Sequence, residues 1–424
     1  MGVSALANNS RSAFGGESLM AKTIESTVLI TLGPGMEAPA GTLYATGDDL
    51  SFRYDSTYTI SSDSFDLFPS MPRSLAPFFF SGLGPFSDSA PDRWGRKVFS
   101  RSLKRTRVSE SEYLFGVNDL TRQGAIRFIV DGKPAAGDEG VPVLSKLPEL
   151  LDTADAVEQN REVSDVSLRR LYRATGSLGG ARPKASVSDR NALWLAKFPK
   201  PNGDDWDVIG WEAVTLEIAN MAGIKVPEHR VIAIKDSEER SRTVLLTHRF
   251  DRVSAPSVER MERLPYISAM TALEARDGDG GDWLDLAEFT RRAGGDTIEL
   301  WRRAMFGAAI GNTDDHLRNH GYLRKNNSWQ LAPAFDMNPE PFDPSLPDSH
   351  QMSLLGDTEV DIDKLMSDES LSLFGVSRKY ADHWLPTLRS ALSQALSRAA
   401  MRRIDMHSIN LMAERFDKAV HALQ

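Results

Sequence analysis

Asp314, Asn319 and Asp336 are the residues of this chain whose types and spacing could do chemistry together. In the stretch from Gly311 to Asp336, GNTDDHLRNHGYLRKNNSWQLAPAFD, the aspartate at 314 precedes the asparagine at 319 by five residues. That is the spacing of a phosphoryl-transfer catalytic loop, in which one side chain reaches the acceptor hydroxyl and the other turns back onto a metal ion. Between Asn319 and Asp336 lie two short apolar runs, HGYL and WQLAPAF, joined by the turn-prone Lys325-Asn326-Asn327-Ser328. The pattern predicts a hairpin. Its return strand would bring the Asp336 carboxylate toward the Asn319 amide, and both offer the hard oxygen atoms that magnesium takes. Met337-Asn338 follows Asp336 where a protein kinase has Phe-Gly, so the second motif is incomplete.

Such a centre needs upstream groups that hold phosphates. TGSLGGARPKASV is a glycine-rich turn in which Gly176, Gly179 and Gly180 could let backbone amides approach phosphate oxygens without interference from a Cβ. Its spacing fits neither the dinucleotide fingerprint nor the Walker sequence, so by itself the run is better explained as a plain hairpin turn. Lys197 is more telling, because a lysine inside the apolar run Leu195 to Phe198 is costly to bury unless it meets an anion. A nucleotide phosphate or a helix carboxylate would serve, and a lysine snorkelling from an edge strand is the alternative. Residues 209 to 223 read as an amphipathic helix closed by Gly223. Glu212 in its first turn can pair with Lys197, and Glu217 is a rival for that place. KVPEHRVIAI and TVLLTHRFDRV read as strands, and chain order puts the link that would meet adenine at Thr247 to Phe250.

The elements that must position these groups are set by composition and pattern. With 424 residues and 41% hydrophobic content, the chain can bury one large core or two to three smaller ones. It contains no cysteine, which removes disulfides, thiolate metal sites and cysteine nucleophiles and fits a reducing compartment. No apolar run approaches the roughly 18 residues of a membrane span. A net charge of -9 argues against a chain that coats nucleic acid by itself. Residues 1–22 lack the apolar centre of a secretory signal and read as a flexible leader, with Met20 a candidate natural start.

TVLITL, GTLYAT and LSFRYDSTYTI predict a small antiparallel sheet. Asp92 is an N-cap for a helix made basic by Arg96, Lys97, Arg101, Lys104, Arg105 and Arg107. A solvated face is the plainer reading of that helix and a phosphate-contacting face the sharper one. Asp131 to Asp155 reads as a linker, with a boundary near 135 to 165. DGDGGDWLDLAE, from Asp277 to Glu288, fails the calcium-loop pattern and reads as a solvated loop. LWRRAMFGAAIG is a buried helix delivering Gly311, and 357–424 is a packed helical tail.

The chain resembles the HipA family of kinase toxins from bacterial type II toxin–antitoxin systems. GTLYAT, PFFFSGLGPFSDSAPDRWGR, DLTRQGAIRF, GSLGGARPKASV, LAKFP, AGIKVPE, HRFDR, GNTDDHLRN and LAPAFD carry the likeness, over about residues 40 to 415. The resemblance implies a bilobed protein-kinase-like α/β (α+β) fold, with an N-terminal β-rich subdomain over 23–150. A nucleotide-binding part over 151–253 and a mainly helical lobe over 254–424 would follow. It implies ATP and Mg2+ as cofactors, Asp314 as catalytic base, Asn319 and Asp336 as magnesium ligands and Lys197 on the ATP phosphates. Gly179, Gly180 and Glu212 would complete the ATP site, His248 and Phe250 would form the adenine hinge, and Ser177 would be the autophosphorylation site. The implied activity is that of a cytoplasmic serine/threonine protein kinase. Its substrate class would be a translation component such as an aminoacyl-tRNA synthetase. The implied partner is a small helix-turn-helix antitoxin that holds operator DNA, toward which the Arg96 to Arg107 segment could face. Arg318 departs from the family, whose members often carry lysine there. A kinase fold acting on a lipid or small-molecule alcohol, and a non-catalytic subunit for antitoxin and operator DNA, are the rival readings.

Overall fold

Alternation of apolar and polar residues builds the first sheet. The computed structural model describes residues 23–177, 180, 182–202 and 204–424, so the expected leader at 1–22 and Gly179 lie outside the described residues. Ile24–Gly33, Met36–Thr46, Asp49–Tyr54 and Phe78–Ser81 pair in succession, and Arg127–Val130 and Lys133–Pro134 extend the other side to six antiparallel strands. Every second side chain turns inward. Val28, Ile30, Leu43 and Phe52 are fully buried, and the Phe86 ring lies between those of Phe52 and Phe128. The strand expected through LSFRYDSTYTI stops early, because Ser56–Ile60 is a short helix. The Asp55 side chain accepts from the Thr57 N–H, and this N-cap overrides the β preference of Thr57, Tyr58, Thr59 and Ile60.

Four antiparallel strands in the order Lys184–Asp189, Ala192–Lys197, Ser241–His248 and His229–Lys235 form the second sheet. Lys197 therefore sits on an interior strand, opposite Lys184 on one side and Leu245 on the other. The edge-strand alternative fails for that reason. Trp94 and Val98 of the Arg93–Ser102 helix and Leu147, Leu150 and Leu151 of the Leu147–Glu158 helix pack into the same core as Ala185, Ala196 and Phe198. A division at 150/151 consequently falls inside a helix, and the expected linker ends before residue 147. Pro148 sits at the start of that helix, where proline is tolerated, and apolar residues at helical spacing give it a buried face.

In the C-terminal part, Thr297–Ile310 is buried around most of its circumference and ends at Gly311, whose φ of +64° is left-handed. A Cβ there would lie 2.5 Å from the Arg415 guanidinium carbon, so glycine is required for space as well as for backbone conformation. The expected hairpin forms from Gly321–Lys325 and Ser328–Leu331, with a third strand, Tyr266–Ser268, beside the first. Asn326 and Asn327 have φ of +50° and +63°, the pattern of a type I′ turn. Asp277 to Glu288 is a loop only at its start. Gly281–Asp282 bridges in parallel to Met352–Ser353, and Trp283–Arg292 is a helix capped by Asp282, with Trp283, Leu286 and Ala287 buried. The tail is helical as expected, with Arg378–Leu392 and Met406–Ala422 its longest members.

Candidate active site

A cleft enclosing about 830 Å³ of empty space, part of it open to solvent, lies where the second sheet meets the hairpin region. Lys197, Glu212, Asp336, Ser177 and the segment Thr247 to Phe250 all line it. The interior strand Ala192–Lys197 carries Lys197 to its end, and the Val208–Met221 helix, capped by Asp207, presents Glu212 from its first turns. Lys197 Nζ donates to Glu212 Oε1 at 2.6 Å and to Asp336 Oδ1 at 2.8 Å. Glu217, the rival, is taken by Arg398 and Arg402.

These charges are buried together, the Lys197 side chain being 7% exposed and that of Glu212 1%. Burial opposes the lysine charge, but Asp336 and Glu212 outweigh it and hold the ammonium protonated well above its ordinary range. Burial likewise opposes the Asp336 charge, and Lys197 overcomes it, so this carboxyl is held below the usual range. Glu212 moves the other way. Its own burial, reinforced by Asp336, lifts it despite Lys197. One cation between two carboxylates leaves one of them the weaker acid, and Oε2 of Glu212 has no hydrogen-bond partner among the described residues.

Asp336 itself has φ of +59°, uncommon for a residue with a side chain, and Asn338 Nδ2 donates to its Oδ1 at 3.0 Å. Gly180 sits at φ +119°, and a Cβ on it would stand 2.5 Å from Lys184 Nζ and 3.9 Å from Asp336 Oδ2. The φ of +119°, rather than the contact with the flexible end of Lys184, is what calls for glycine at 180. Asn319 ends a single 3-10 turn, is buried, and its amide donates to the Asp314 carbonyl at 3.4 Å. Asp314 is exposed, and Gln351 Nε2 donates to its Oδ1 at 2.5 Å. Partial burial and the nearby Asp336 charge push the Asp314 carboxyl up. Asp336 and Asn319 offer the oxygen donors that a hard divalent cation takes, so the side chains fit magnesium by type.

His248 ends the strand Ser241–His248, its ring edge-on to Trp194, and Phe250 stacks on Phe335. Ser177 follows the Asp165–Thr175 helix and is 3% exposed, its Oγ accepting from the Gln123 N–H at 2.8 Å. Arg318 reaches Asp277 with two hydrogen bonds, 2.7 and 2.9 Å.

Several groups at the site had no role in the sequence reading. Asp92, expected only as an N-cap, caps Gly95 with one oxygen and accepts from the buried Lys184 with the other at 2.8 Å. The two arginines of HRFDR are structural. Arg249 and Arg252 both bond the buried Asp251, whose second oxygen also accepts from the Gly124 N–H, and both reach the Arg122 carbonyl. They clamp the 118–125 loop that anchors Ser177. The sequence signal was present in principle, since alternating charges in an apolar setting must pair. Gln351 carried none. In the basic segment, Arg96 pairs with Glu110, Lys97 with Glu158, Lys104 with Asp165 and Arg105 with Glu112, so these four cations each have a carboxylate partner within the chain.

Comparison with known proteins agrees with this architecture. A chain from the Shewanella oneidensis MR-1 toxin–antitoxin complex of HipA, HipB and operator DNA superposes with a TM-score of 0.64 at 14% identity, covering 94% of this chain and 96% of that one. At that identity the likeness speaks for the fold. A Haemophilus influenzae protein named as a candidate kinase is 26% identical over 149 residues, 32% of this chain and 43% of the relative. The match thus spans less than half the length of that curated relative. The family model of the HipA-like C-terminal domain matches residues 176–403, which include Ser177, Lys197, Glu212, Asp314, Asn319 and Asp336. With more than half of its length inside that match, the chain belongs to the HipA family.

Proposed function

We propose that this protein is an ATP- and Mg2+-dependent serine/threonine protein kinase and the toxin of a toxin–antitoxin module. The observation that carries the reading is the Lys197 ammonium held between Glu212 and Asp336 in a cleft that also contains the Thr247 to Phe250 link. A lysine so fixed is preorganised for phosphate oxygens. His248 and Phe250 would hold the adenine of ATP, and Gly180 and Lys197, with Gly179 of the same glycine-rich run, would hold its phosphates. Asn319 and Asp336 would hold Mg2+, which supplies neutralisation of the phosphate charge. Asp314, exposed at the loop, orients the acceptor hydroxyl and takes its proton as the oxygen bonds the γ-phosphorus and the bond to ADP breaks.

Ser177 would be the self-phosphorylation site. Its buried hydroxyl accepts from the Gln123 N–H and would have to leave that partner before accepting a phosphoryl group. A translation component such as an aminoacyl-tRNA synthetase is the proposed acceptor class, in the cytoplasm. No helix among the described residues is long and apolar enough to cross a membrane. A small helix-turn-helix antitoxin is the proposed partner. The internal pairing of Arg96, Lys97, Lys104 and Arg105 supports operator contact through that partner rather than through this helix.

The test is phosphoryl transfer from labelled ATP, self-labelling included, by the parent protein and by Asp314→Gln, Asp336→Gln and Ser177→Ala. The two carboxylate variants are expected to lose transfer by at least about a hundredfold. Ser177→Ala should bind ATP and lose self-labelling. Carboxylate variants as active as the parent would remove the mechanism, and label on another residue would remove the Ser177 assignment.

A further inference from the structure

The irregular segment that follows Asp336 contains no kinase-like motif, yet three of its contacts fall on consecutive residues of the catalytic loop. His350 Nδ1 lies 3.3 Å from the Asn312 carbonyl, the Gln351 N–H donates to the Thr313 carbonyl at 3.0 Å, and Gln351 Nε2 donates to Asp314 Oδ1 at 2.5 Å. The segment is itself fixed. His350 N–H donates to the Thr358 carbonyl, and Met352–Ser353 bridges to Gly281–Asp282, with Met352 fully buried. Gln351 is thus a side chain on an anchored backbone, aimed at the one carboxylate of the site that faces solvent.

We infer that Gln351 is a positioning residue for Asp314. This rests on the kinase reading above. A loop aspartate on a glycine-ended helix has free rotation about its side-chain bonds, and transfer requires one oxygen to stay on the acceptor hydroxyl. The Gln351 amide occupies Oδ1 and so holds the carboxylate plane, leaving Oδ2 for the hydroxyl. An amide suits this task because it donates without adding charge, where an ammonium would compete for the transferring phosphate. Gln351 touches neither the Lys197 junction nor the His248 to Phe250 wall, so its effect belongs to the transfer step and not to nucleotide binding.

The experiment compares the parent with Gln351→Met, which keeps the length and removes the donor, and Gln351→Glu, which keeps the shape and presents only acceptors. Melting temperature, ATP affinity by calorimetry, and kcat and KM for ATP in self-labelling are measured on the full chain. Both variants are expected to melt and bind ATP as the parent does, with KM for ATP within about twofold and kcat lowered roughly tenfold, more in Gln351→Glu than in Gln351→Met. Equal kcat in the parent and both variants would overturn the inference and leave the kinase reading standing. A kcat loss matched by an equal loss of ATP affinity or a lowered melting temperature would assign Gln351 a structural role and overturn it too. A parent that moves no phosphoryl group from ATP overturns the kinase reading, and this inference falls with it.

Discussion

Lys197 and Asp314 are both charged and both central to the site, and they are held in opposite ways. Lys197 is 7% exposed and fixed by two carboxylates at 2.6 and 2.8 Å. Asp314 is exposed and its side chain meets one neutral amide. Burial explains the first arrangement, because an ammonium removed from water must be paired, and pairing on an interior strand and a buried helix makes it rigid. On the proposed mechanism access explains the second, since an acceptor hydroxyl would have to arrive from solvent. One half of the site is therefore part of the fold's stability, and the other is carried by it.

The sharpest way to break this comparison is to exchange the two losses. Lys197→Met leaves Glu212 and Asp336 buried without their cation and is expected to cost about 3–5 kcal/mol in chemical denaturation, together with nucleotide affinity. Asp314→Gln should denature as the parent does while transfer collapses. If Lys197→Met proved as stable as the parent, the junction would not be a structural one.

A slightly smaller effect is expected at Asp251, the buried carboxylate that joins the 118–125 loop to the second sheet. Burial pushes this carboxyl up, but Arg249 and Arg252 prevail and hold it well below the usual carboxylate range. A folded value below the unfolded one means that its contribution is complete above about pH 4 and fades as the pH falls toward the folded value. Asp251→Asn should therefore cost about 3 kcal/mol at neutral pH. The gap between parent and variant should close in unfolding curves taken below pH 4, and a constant gap would contradict the assignment. The smallest expected effect is at the hairpin turn, where Asn327 has φ of +63°. Asn327→Gly suits a type I′ turn and should raise the urea midpoint by the equivalent of about 0.5 kcal/mol without altering transfer.

Local signals were read correctly where the responsible hydrogen bonds are themselves local. Asp92 caps its helix, Gly311 ends its helix with a left-handed residue, and the Asn326-Asn327 turn closes its hairpin. They failed where two local preferences competed. Ser56–Ile60 has strand-forming residues but follows a capping aspartate, and Trp283–Arg292 was hidden by the acidic, glycine-rich residues before it. The linker reading failed because composition alone does not register that Leu147, Leu150 and Leu151 share one helix face.

By itself the sequence determined the types and spacing of the groups at the centre, the strand that carries Lys197 and the family to which the chain is similar. It left open which carboxylate Lys197 meets, which groups hold Ser177 and Asp314, and whether the basic segment is free. Only the tertiary structure decided these, because the partners are distant in the chain. Lys197 and Asp336 are 139 residues apart, and Gln351 and Asp314 are 37. Capping and turn preferences act over a few residues, whereas a buried charge accepts whichever partner the packing of whole elements delivers.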